Sequence, residues 1–127
     1  MSPQSPHVTL LALLAVFALG QIACSDVEAN YVPAELVDVW VTEHEKYADR
    51  FFTIRGGTIT FGTGEDNSES YIITAVERVP FVGDSLYTIE YADSEGEPFK
   101  FSFFFRRGET DQIRLLNQRY IAWVRRG

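Results

Sequence analysis

The sequence predicts an all-β protein, an eight-stranded antiparallel up-and-down barrel, on three observations. Beyond residue 35 no stretch sustains the apolar spacing of a helix, while alternating runs of β-branched and aromatic residues recur between turn signals. The connections between these runs are short, which joins neighbours antiparallel. Most runs also have one apolar face only, as strands do when a sheet curls round its own core, and eight strands close at a size that side chains fill.

The runs, in order, are Leu36–Thr42, Arg50–Arg55, Thr58–Phe61, Ser70–Val79, Ser85–Tyr91, Phe99–Arg106, Gln112–Leu116 and Arg119–Arg125. Gly56 and Gly57 mark a two-residue hairpin, because glycine adopts the positive φ such turns demand. Gly62–Gly64, Val82–Asp84, Asp93–Gly96 and Gly108–Asp111 separate the later runs. The sixth run has the clearest faces: Phe99, Phe101, Phe103 and Phe105 point one way, and Lys100, Ser102, Phe104 and Arg106 the other. Phe104 thus needs a cover on the outside, from the N-terminal tether or from a partner. Ahead of the first run, Pro33–Leu36 suits a single helical turn, since proline is tolerated at a helix start.

The chain divides into a leader over 1–23, a tether over 24–34 and the barrel over 35–127. Val8–Leu19 is an uncharged apolar run, too short to span a bilayer and of the length of a signal-peptide core. Cys24, the single cysteine, follows small Ala23. This stretch resembles a bacterial lipoprotein signal, with Gln21 where such signals usually carry Leu. The resemblance implies lipid attachment at Cys24, and Ser25 after it implies the outer membrane, facing the periplasm. Ala18, Leu19 and Gly20 alternatively form an ordinary cleavage site, which releases a soluble periplasmic protein with a free thiol. Either way a lone cysteine makes no internal disulfide, so the core alone must hold the domain.

Trp40, near the start of the barrel segment, resembles the tryptophan of lipocalin-like (calycin-type) barrels. In that family a Gly-x-Trp on the first strand plugs one barrel end beneath a basic side chain from the last. Arg125 or Arg126 is positioned to supply the base, and Asp38 stands at the glycine position. Tyr47–Phe52, Phe61–Gly64 and Asn117–Gln118 also resemble a group of small bacterial secreted proteins, which bears on the fold and carries no activity. The family binds small apolar ligands inside the barrel. Trp40, Phe52, Phe61, Tyr87, Phe101, Phe103 and Trp123 are therefore candidate ligand-binding residues. The opposing reading is that side chains this large fill the barrel.

Charge adds an asymmetry. The chain carries 11 basic and 18 acidic residues, a net charge of −7, which argues against nucleic acid as a partner. In a meander, alternate turns gather at opposite ends. One end collects Arg55, Arg78, Arg106, Arg107, Arg125 and Arg126; the other collects acids of residues 43–49, 65–69 and 93–97. The tether enters at the arginine end, so Arg106, Arg107, Arg125 and Arg126 are candidate membrane-facing residues, the alternative being ordinary solvated turns.

No catalytic constellation is legible. His44 is the only histidine after the leader, and on a strand end it points away from its neighbours Glu43 and Glu45, so no metal site is expected. Residues 65–69 lack the spacing of a calcium loop. No cofactor is expected either. The expectation is a non-enzymatic envelope lipoprotein whose barrel binds a partner protein or serves structurally. The alternative is a carrier of a small apolar ligand.

Overall fold

The structure, a computed structural model, describes residues 26–28, 32–64 and 66–127. The leader, Cys24 and Ser25 lie outside the described residues. The strands are β1 (Asp26–Glu28), β2 (Asp38–Val41), β3 (Arg50–Arg55), β4 (Thr58–Thr63), β5 (Asn67–Phe81), β6 (Asp84–Ala92), β7 (Pro98–Arg106), β8 (Gln112–Leu115) and β9 (Gln118–Arg125). From β2 to β9 each strand pairs antiparallel with the next, and β2 also pairs with β9, closing an eight-stranded up-and-down barrel. The fold is all-β, and its closed antiparallel order is consistent with a calycin-like arrangement.

The ring closes through one long strand and one short seam. β5 pairs with β4 over Asn67–Ile72 and with β6 over Ile72–Phe81, the register shifting between Ile73 and Ala75. That bulge turns the strand from one neighbour to the other. The β2–β9 seam consists of two register pairs, Trp40 with Arg125 and Val41 with Val124.

The segment ahead of the barrel is partly built into it. β1 runs antiparallel to the second half of β5, Asp26 opposite Arg78, covering the edge that β4 leaves free. Pro33 introduces a 3-10 turn at Ala34–Leu36, as its fixed φ allows. Leu36 falls in this turn, and the first barrel strand begins only at Asp38. Val32 and Leu36 both sit in the core.

The Gly56–Gly57 hairpin is present, but not by positive φ: the glycines that adopt it are Gly64, Gly83 and Gly96. The glycine whose missing side chain matters most is Gly62. It lies opposite Phe51, and a Cβ built there falls 2.2 Å from that ring. The Phe51 ring, with the Arg126 guanidinium 5.6 Å from its centroid, occupies that space. Gly62→Ala is expected to displace it and lower stability by about 1–3 kcal/mol. Urea unfolding checks this, and Phe51→Ala in the same chain should recover much of the loss.

The core divides along the barrel axis. In the closed half Leu36, Trp40, Ile54, Ile59, Tyr87, Ile89, Phe103 and Ile113 are fully buried. Phe104, on the outer face, is covered by the Phe81 ring stacked at 5.4 Å and by the Arg119 guanidinium at 4.5 Å. Its cover comes from the barrel's own hairpin and last strand.

Candidate functional site

The wall is shortest where β8 stops. β7 runs from Pro98 to Arg106, yet β8 pairs with it only over Phe103–Arg106, and Leu116 N–H donates to the Ser102 carbonyl as the chain turns back. Phe99 and Phe101 thus have no β8 residue beside them. This leaves a cavity of about 540 Å³ at the end of the barrel away from the 3-10 turn, bordered across the barrel by the end of β4 at Gly62 and Thr63.

Its interior is aromatic. Phe52, Phe61, Tyr71, Phe101, Leu115 and Trp123 line it, and Arg50, Asp66, Asn67, Ser68 and Glu69 stand at its mouth. Phe52 is the floor, with Phe101 and Trp123 each 5.3 Å away between ring centroids. Phe61 meets Phe101 edge-on at 5.2 Å. These separations are those of favourable ring pairs, so the walls hold one another in place. At the rim Tyr71 donates its hydroxyl to Glu69 Oε2 at 2.6 Å, and that bond, followed by burial, pushes the tyrosine pKa up.

One wall residue is polar and unsatisfied. Trp123 is only 5 % exposed, and its buried Nε1–H has no acceptor among the described residues. An indole N–H only donates, and leaving it unpaired costs about 1–3 kcal/mol. Trp40, by contrast, donates Nε1–H to the Leu36 carbonyl at 3.0 Å.

The seven aromatic candidates therefore separate. Phe52, Phe61, Phe101 and Trp123 line the cavity; Trp40, Tyr87 and Phe103 are packed in the closed half. Alternation put all seven on the inner face but did not tell one end from the other. Tyr71 and Leu115, missed as site residues, share the inward parity of Ile73 and Ile113, a signal that was available. The mouth residues are polar ones at the first positions of β3 and β5, with Asp66 in the turn before β5, and carry no such signal.

At the closed end Arg125 lies over Trp40, guanidinium to ring at 4.7 Å, the disposition that the barrel resemblance implies. It also donates to the Glu35 carbonyl at 2.6 Å, to Asp38 at 3.2 Å and to Asp111 at 3.1 Å. Arg106 pairs with Asp84 at 2.7 Å, and Arg107 with Glu35. Arg126 lies along the outer wall against Phe51. Three of the four candidate membrane-facing arginines are thus held by acids of their own end. The arginine end therefore mixes bases with acids and is not a uniformly basic rim.

Glu35 also accepts from the Tyr87 hydroxyl. Burial, and then this bond, push the Tyr87 pKa far above its usual value. Its phenol stays protonated in the fold where the unfolded chain begins to ionise, so stability falls as pH rises above about 10. Tyr87→Phe is expected to flatten that alkaline limb, read from urea midpoints between pH 9 and 11.

His44 opens the 3-10 turn Glu45–Tyr47 by accepting the Lys46 N–H at Nδ1, and its ring rests on Tyr47 and Tyr120. Among the described residues no three His, Cys, Asp or Glu side chains are grouped to hold a metal ion. Nor is any described helix long and apolar enough to cross a membrane. The chain matches no protein-family model, no curated protein and no solved structure.

Proposed function

We propose that the protein is an extracytoplasmic, lipocalin-like barrel that carries a small, largely apolar molecule in its open half and catalyses no reaction. The observation that carries this reading is the cavity itself. Its volume falls in the range of small-ligand sites, and an apolar lining with a few polar groups at one end is their usual make-up. This favours the carrier over a barrel that serves only as a structural or partner-binding surface. Tethering by lipid at Cys24, with the protein at the outer membrane facing the periplasm, belongs to the same proposal and is supported by the leader. Mass spectrometry of the mature N-terminus tests that part.

Titration with a lipophilic dye bearing a carbonyl acceptor tests the rest. Dye emission should rise on binding, and Trp123 emission should be quenched while that of buried Trp40 persists. Unchanged emission of both dye and Trp123 at saturating dye would exclude a carrier.

A further inference from the structure

The β5–β6 hairpin ends in Pro80, Phe81, Val82 and Gly83, all exposed and all uncharged. Val82 is 100 % exposed and Phe81 52 %. Apolar side chains held this far into water are poorly placed unless something else covers them. The hairpin is not loose, because Phe81 stacks on Phe104 with only 13° between ring planes. The acid next to the tip, Asp84, is ion-paired with Arg106 at 2.7 Å, so it does not stand there as a lone carboxylate.

A second observation says what covers it. β1 places Asp26 opposite Arg78, two residues short of Pro80. The antiparallel register means that residues 1–25 join the fold on the tip side of this pair. Cys24, two residues earlier, is no more than about 7 Å of extended chain from Asp26. The apolar run Val8–Leu19 precedes it. Whether that run is retained or exchanged for lipid at Cys24, the membrane-seeking part of the chain is attached beside the apolar tip.

We infer that the Pro80–Gly83 tip dips into the lipid surface to which the N-terminus is tied. The barrel then stands on its arginine end, with the cavity mouth facing away from the membrane. The inference rests on the proposed membrane attachment, and only part of that attachment depends on the tip.

The test uses the full chain, processed by a bacterial host, with Val82→Cys carrying an environment-sensitive fluorophore. Ser94→Cys, at the far end of the barrel, is the control, and the unsubstituted protein reports any labelling of Cys24. In membranes the label at residue 82 should shift to the blue and be quenched by lipids spin-labelled near the headgroup. The label at residue 94 should stay water-like. Val82→Asp should keep the β-sheet circular dichroism and lower partition to vesicles about tenfold or more when the N-terminal attachment is absent. A water-like signal at residue 82 in membrane-bound protein overturns the tip inference and leaves the anchor standing. Protein absent from the membrane fraction overturns both. Self-association that Val82→Asp abolishes, with no blue shift on membranes, assigns the tip to a second copy instead.

Discussion

Trp40→Ala is expected to cost about 3–5 kcal/mol, the usual penalty for emptying a buried aromatic site. Trp40 has no exposed surface and joins every part of the closed end. Its ring stacks on Phe52 at 6.4 Å, meets Phe105 edge-on at 6.3 Å and lies under Arg125. Its Nε1–H holds the 3-10 turn through the Leu36 carbonyl. Alanine would leave a void beneath a charged side chain and free that turn. A domain of this length has only about 5–15 kcal/mol in all, so the variant should unfold at much lower urea. Trp123→Ala should cost less, because its ring borders a space that is already open, and its effect should fall on dye binding. Equal losses of stability in the two variants would contradict the division into a packed half and an open half.

That division marks how far the sequence could be read. Strand order and inward faces were legible, because alternation is a local signal and residues such as Phe101, Phe103 and Phe105 carry it plainly. The bend in β5 was not, since the bulge near Thr74 breaks alternation among Tyr71–Val76. β1 was not either: its three residues, Asp26–Glu28, have no apolar pattern in the sequence that would announce a strand. Glu35–Arg107 and Asp38–Arg125 join residues far apart in the chain, so the arginine end read as basic although Arg106, Arg107 and Arg125 each meet an acid there. The cavity exists because β8 stops early and leaves Phe101 without a neighbour on that side. Phe101 and Phe103 have the same parity, and only the length of the neighbouring strand puts one on a ligand-sized space and the other in the core.

Arg125→Gln should open the barrel at its weakest seam and reveal this through pH. β2 and β9 share two register pairs, and Arg125 adds to them its bonds to Glu35, Asp38 and Asp111 and its place over Trp40. Losing charged hydrogen bonds of this kind costs about 2–3 kcal/mol at neutral pH. The Asp111 carboxyl is held below the ordinary carboxylate range, first by Arg125 and then by the Gly108 N–H. A depressed folded pKa gives stability that is complete above the unfolded value, near 3.9, and is lost as pH falls through the folded one. In Arg125→Gln the Gly108 bond and the weaker pull of the Arg107 charge still favour the Asp111 carboxylate, so its folded pKa should move back towards the usual value and that contribution shrink. The stability difference between the two proteins should therefore narrow as pH drops from 5 to 2. It should not vanish, since the contacts with the Glu35 carbonyl and the Trp40 ring do not titrate. Urea midpoints across that range measure both parts. A difference that stayed constant would mean that Arg125 closes the barrel by packing alone.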